Sequence, residues 1–348
     1  MPYRSLEASA FWRLCREDPD FRSGEIYRPK FEIGPDDLIA AAGSCFAQNI
    51  SHYLQGSSLQ FQQMEPVPRG MDPGVARLFG YGLYSARYGN IYSARQLLQL
   101  VQDAHTGRVD AQAVSEKNGR HFDALRPGVE PFGLESIDEV LAHRASHLDR
   151  VSAMISTMGV FIFTLGLTEI WEHRETGQVY PVAPGVIAGT FDPALYQFRN
   201  QGFDEVLSDL KKAIRLMRLV NPTFRVILSV SPVPLTATAS GQHVLSATTY
   251  SKSVLRVVAG KLAATDPAID YFPSFELVAG LPFGAPGFEP NLRSVSTTTV
   301  DRVMKVFFAA YGASPGAMEP PVNDHMLSKG YLPGEHCEEA MLEAFIRP

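Results

Sequence analysis

The chain has 348 residues, 45% of them hydrophobic and 20% charged, enough apolar material for one large core or two modest ones and too much for a disordered chain. A net charge of −6 and a sequence pI near 5.9, with no cluster of Lys and Arg, exclude a general nucleic-acid binder. The stretch Met1 to Glu7 lacks the apolar core of a signal peptide and no run of about 18 apolar residues occurs, so a cytoplasmic protein with no membrane partner is expected.

In chain order, residues 1–34 read as an N-terminal arm, with a short amphipathic piece around Phe11 to Leu14. Leu38 to Ile50 follows as strand, sharp turn and helix, the turn falling at Gly43-Ser44-Cys45. A serine there has two readings. It caps the helix that begins near Phe46, or it is a nucleophile held where backbone N–H groups and the helix dipole favour an anion. Cys45 is a second candidate thiol at the helix start, but strand alternation turns it away from Ser44 and into the core. The three cysteines, Cys15, Cys45 and Cys337, are odd in number and far apart in sequence, so reduced thiols are expected, with neither a disulfide framework nor a CxxC metal site.

Leu59 to Gln63 alternates as a second strand, and Pro66 to Gly80 reads as a surface loop because of its Pro and Gly content. The turn at Gly89-Asn90 precedes a helix from Ala94 to about Ala104; Gly89 allows close backbone approach to a ligand and Asn90 offers an amide donor, or both serve an ordinary cap. Ser136 to Met158 is helical, with His143 and His147 one turn apart. That spacing suits zinc, but no third ligand accompanies it and Arg144 and Arg150 flank it, so no metal is expected.

Gly159 to Leu165 is an almost continuous apolar run, the pattern of a parallel strand covered on both faces, and it ends in Gly166-Leu167-Thr168-Glu169. A helix over Phe203 to Leu219, a strand over Phe224 to Ser231, a loop containing His243, a helix opening at Tyr250, a strand over Ile269 to Pro273 with Glu276 just beyond, and a helix over Thr299 to Tyr311 complete the alternation. This order predicts one three-layer α/β/α sandwich with a mostly parallel sheet, and open sheets of this kind bind ligands beyond their strand carboxyl ends. Residues 35–311 form that domain. Residues 312–348 are a Pro/Gly-rich tail with a short helix around Glu338 to Ile346, expected to wrap the domain or to contact a partner.

Gly43-Ser44-Cys45-Phe46-Ala47, the TLGLTE string Thr164 to Glu169, the SVSPVP string Ser229 to Pro234, the YSKSVLR string Tyr250 to Arg256 and the YFPSFE string Tyr271 to Glu276 together resemble the GSCFA family, over roughly Tyr3 to Tyr311. GSCFA proteins look like a branch of the SGNH (GDSL-like) hydrolases, which implies the flavodoxin-like sandwich and a serine esterase or O-acyltransferase. The resemblance implies Ser44 as nucleophile, with its own N–H sharing the oxyanion hole, Gly89 as the second-block glycine, and Gly166 to Glu169 as the third-block string. There Thr168 replaces an asparagine donor, and Asn90 is a substitute for it.

The Asp-x-x-His that supplies the base in that superfamily is absent. The corresponding loop, Phe288 to Ser296, carries Asn291 and Ser294 instead. His243 with Glu276 is the expected replacement. Lys252 is a rival base if desolvated and otherwise a solvated lysine; Asp324-His325 in the tail is a weaker candidate. The substrate expected is a small-molecule or saccharide ester, with no cofactor; the oligomeric state is open. The alternative is a GSCFA-fold protein that has lost hydrolysis and acts as a binding or scaffold protein, or catalyses another reaction through Cys45 or the Glu169 and Glu276 carboxylates.

Overall fold

The computed structural model describes residues 1–15, 26–283, 287–315 and 337–346. Five strands form the central sheet: β1 (Leu38–Gly43), β2 (Gln60–Phe61), β3 (Val160–Leu165), β4 (Arg225–Val230) and β5 (Ile269–Phe272), lying side by side in the order β2-β1-β3-β4-β5. Every neighbouring pair is parallel. The order reverses direction at β1, so the crevice beyond the carboxyl ends of β1 and β3 is the switch point where such sheets place ligands.

Strand composition sets the layers. On β1, Ala40 and Ala42 face one core and Ile39 and Ala41 the other; Phe161 and Phe163 of β3 join the first, Val160 and Ile162 the second. The first face is covered by α2 (Ala94–Thr106), α3 (Ile137–Thr157), α4 (Phe203–Val220) and α5 (Val244–Thr265). The second carries α1 (Ala47–Leu54), α6 (Ser274–Ala279) and α7 (Thr297–Ala310). The expected three-layer α/β/α sandwich is thus the observed one. The described end of the N-terminal arm packs on its edge, where Tyr27 Oη donates to Asp270 at 2.7 Å and Lys30 N to the same carboxylate at 2.9 Å.

Four stretches differ from the sequence expectation. Within residues 66–80 the chain forms a short helix, Pro73–Leu78, whose cap Asp72 accepts from Gly74 N and Val75 N. An Asp followed by Pro at the first helical position is a start signal, which the surrounding Pro and Gly obscure. Between the predicted elements, residues 114–123 and 169–200 hold an antiparallel hairpin (Val114–Lys117 with Arg120–Asp123) and a small antiparallel sheet (Glu169–His173, Val179–Tyr180, Tyr196–Asn200). Finally, α5 starts six residues before Tyr250, at Val244.

The two histidines of α3 part company. His143 is half exposed, with Glu130 3.9 Å away, whereas His147 is buried and its Nδ1 lies 2.8 Å from Glu65 Oε2. Burial, with Arg126 adding to it, pushes His147 down to about 4, so at neutral pH it is the uncharged donor to Glu65. Its native pKa lies below the unfolded 6.5, so as pH falls the unfolded chain takes up a proton that the native chain refuses. Relative to a His147→Gln variant, the wild type should therefore lose about 3 kcal/mol of stability between pH 6.5 and 4. Urea titrations of both across that window measure the difference, and parallel curves would contradict the assignment.

Candidate active site

The site is built on the turn that ends β1. Gly43 has φ +142°, and a Cβ there would stand 2.8 Å from Thr164 N and closer still to its O, so only glycine lets β1 run against β3 at this point. The next residue is held from both sides: Ser44 N donates to Thr164 O at 3.1 Å, and Ile91 N to Gly43 O at 2.8 Å. Ser44 is 2% exposed and, among the described residues, its Oγ is buried with no hydrogen-bond partner. The cap position of α1 is Phe46, with no side-chain cap bond. Ser44 is therefore not a helix cap, and a buried, unused hydroxyl needs another explanation.

Gly166 closes the other side. A Cβ on it would lie 2.9 Å from Ser44 Cβ and 3.0 Å from Tyr92 O. Its carbonyl accepts from Lys252 Nζ at 2.5 Å, which brings this amine to the residue that directly follows β3. Lys252 is 3% exposed, so it is not a solvated lysine. Burial pushes its ammonium down to about 8 against the opposing pull of Glu339 and Cys45. Its position follows from α5: Ser251 Oγ, one residue earlier, accepts from Thr168 N at 3.0 Å and fixes the helix to the Gly166 to Glu169 string.

The expected oxyanion donors are unequal. Thr168 Oγ1 donates to Asn200 Oδ1 at 2.6 Å, the Ser44 N–H goes to Thr164, and the Gly166 N–H goes to Tyr92 O at 2.9 Å. Each is consumed by the scaffold. Asn90 stands differently: its Oδ1 accepts from Tyr84 Oη and from Gln48 Nε2 at 3.2 Å, leaving its Nδ2 pointing to a carboxyl oxygen of Glu338. Tyr84 Oη also donates to Ser44 O at 3.0 Å, which ties the Asn90 amide to the nucleophile turn. Gly89 has φ +67°, the left-handed conformation that aims Asn90 inward.

Four further groups reach the site, one from the loop of residues 288–296 and three from the C-terminal segment. Glu338 Oε2 accepts from Tyr92 Oη at 2.8 Å as well as from Asn90. Cys337 Sγ lies 3.6 Å from Tyr92 Oη and 3.4 Å from Arg293 Nη2, and Cys45 hydrogen-bonds it. Arg293 lies 3.6 Å from Glu339. Burial, reinforced by the Cys337 thiolate, lifts Glu339 to about 7 despite Arg293 and Lys252. The C-terminal segment thus covers the strand end. In the loop of residues 288–296, Asn291 and Ser294 bond to each other at 3.0 Å in solvent, and Arg293 is the side chain turned inward.

His243 and Glu276 are not brought together. His243 is exposed and is the N-cap of α5, its Nδ1 accepting from Leu245 N at 3.2 Å. Glu276 lies on α6 beyond β5, three strand spacings or roughly 14 Å of sheet from β1. There it pairs with Arg256 Nε at 2.5 Å and accepts from Tyr271 Oη at 2.7 Å. The histidine is spent on its helix and the carboxylate on a neighbouring arginine, so this pair does not form the expected relay. Glu169 accepts from Thr238 Oγ1 at 2.5 Å, and burial raises its carboxyl above the usual range. Asp324 and His325 lie outside the described residues.

The matching of known proteins agrees with the motifs. No curated protein and no solved structure matches the chain. The model of the GSCFA family matches residues 38–307, from the first residue of β1 into α7. With most of its length and every strand of the central sheet inside that match, the chain belongs to the GSCFA family.

Proposed function

We propose that the protein is a serine esterase or O-acyltransferase of the SGNH kind, acting through an acyl-Ser44 intermediate on an acylated sugar or metabolite. The observation that carries this reading is the buried Ser44 Oγ without a partner, held by the Gly43 turn against Gly166, whose carbonyl takes the desolvated amine of Lys252. An unpaired hydroxyl costs stability wherever it serves no purpose. Here it stands just past the carboxyl end of β1, at the switch point of the sheet.

In this reading Lys252 replaces the missing histidine. The neutral amine takes the Ser44 proton as Oγ attacks the acyl carbonyl, and the resulting ammonium protonates the departing alcohol. Asn90 Nδ2 and Tyr92 Oη donate to the oxygen that becomes negative, the two donors that Glu338 now engages. Water or an acceptor hydroxyl then releases the acyl group by the same steps in reverse. Tyr84 and Gln48 supply no proton; they orient the Asn90 amide.

The test is covalent. A fluorophosphonate probe applied under reducing conditions is expected to add once, on the tryptic peptide Phe31 to Arg69, which contains Ser44. An adduct mapping to any other peptide, or none at saturating probe, would remove Ser44 as nucleophile.

A further inference from the structure

The three cysteines are widely spaced in the chain, yet Cys45 and Cys337 border one apolar cluster and hydrogen-bond in the fold. Cys45 is the residue after Ser44 and is 2% exposed, and Cys337 opens the C-terminal segment, half buried against the same apolar cluster. The Cys45 thiol hydrogen-bonds Cys337 Sγ. Around this pair stand Arg293 Nη2 at 3.4 Å and Tyr92 Oη at 3.6 Å from Cys337 Sγ. Immediately next in sequence, Glu338 sits on the Asn90 amide and the Tyr92 hydroxyl.

We infer that Cys45 and Cys337 form a reversible disulfide latch, which on oxidation by a hydroperoxide ties the C-terminal segment over Ser44 and holds Glu338 on the site's donors. In the reduced protein that segment is held at this point by hydrogen bonds and packing alone; in the oxidised one it is held by a covalent bond as well. The covering of the catalytic serine rests on the reading of Ser44 as nucleophile, whereas the bridge itself does not.

The chemistry balances in two steps. The Cys337 thiolate attacks the terminal oxygen of the hydroperoxide, an S–O bond forms as the O–O bond breaks, and the alkoxide or hydroxide leaves with a proton from solvent as alcohol or water. Cys45 sulfur then attacks the sulfenic sulfur, S–S forms as S–O breaks, and hydroxide departs with the Cys45 proton as water. Two thiols are oxidised and one peroxide is reduced. The first step needs a thiolate: the hydrogen bond from Cys45 and the Arg293 guanidinium hold the Cys337 thiol at about 6. The second needs the hydrogen-bonded sulfurs to close to about 2.05 Å.

The experiment treats the full-length chain carrying Cys15→Ser with hydrogen peroxide, then digests it with trypsin without reduction. A cross-link between peptides Phe31 to Arg69 and Gly330 to Pro348 is expected, within one chain, and thiol reductant should reverse it. Fluorophosphonate labelling should fall at least about tenfold on oxidation and return on reduction, a loss absent from Cys337→Ser, whose replacement at a half-buried position keeps the fold. Sulfinic acid on Cys337 with Cys45 still reduced, or bridges only between chains, would overturn the latch. A mapped bridge together with unchanged labelling would overturn the covering of Ser44 while sparing the disulfide.

Discussion

Ser44→Ala is expected to lower ester turnover by about 10³-fold or more and to abolish fluorophosphonate labelling, while leaving stability unchanged or slightly raised. The two halves of this prediction have one source. Ser44 Oγ is buried and makes no hydrogen bond among the described residues, so removing it breaks none and deletes a polar atom that had lost its water. The backbone bonds that shape the turn, Ser44 N to Thr164 O and Ile91 N to Gly43 O, do not involve the hydroxyl and persist in alanine. A serine kept for structure behaves in the opposite way, losing about 1 kcal/mol with its bond. Turnover of a chromogenic acetate ester and a urea unfolding curve on the same preparation decide the matter. Retained turnover would remove Ser44 from the chemistry, and a marked loss of stability would assign it to the scaffold.

The sheet was legible because its signals are local. Gly159 to Leu165 is apolar at nearly every position, which only a strand covered on both faces tolerates, and all six residues of β3 are indeed buried. The Gly43-Ser44 turn was legible for the same reason, since a small-residue strand ending in glycine announces a close approach. The short antiparallel strands between 105 and 200 were not, because pieces of two to five residues carry too little alternation to stand out from a loop.

The surroundings of Ser44 were harder to read because they come from remote segments. Glu338 meets Asn90 across 248 positions of sequence, and Cys45 meets Cys337 across a greater distance still, pairings that no periodicity encodes. His243 drew attention as a histidine in an apparent loop. The Ser- and Thr-rich opening of α5 hides the helix start, and the imidazole is its cap. Lys252 gave the reverse error: a lysine after a tyrosine and a serine reads as a solvated side chain, yet it is buried where α5 crosses the Gly166 string. The exposure of a long cationic side chain depends on what packs against its helix, which the sequence of the helix does not contain.

Lys252→Met should retain the fold and lose about 10²- to 10⁴-fold in acylation rate, the usual contribution of a positioned base. Methionine matches the lysine stem in length and removes a cation whose burial is unfavourable, so unfolding free energy should hold or rise. The pH profile separates this role from a structural one. With the Lys252 ammonium brought down to about 8, the amine is the minor form at pH 7, and the wild-type rate should climb nearly tenfold per pH unit before levelling above 8. That inflection should vanish in Lys252→Met. Glu339→Gln supplies a second handle: the Glu339 charge is what opposes burial in favour of the ammonium, so its neutralisation should move the inflection below 8 and raise the rate at pH 7. Stopped-flow phosphonylation by a fluorophosphonate, in which Oγ–P forms as P–F breaks, reads all three profiles over about pH 6 to 10. An inflection that survives in Lys252→Met and disappears in His243→Ala would transfer the role of base to the α5 cap and require that imidazole to swing from solvent into the site.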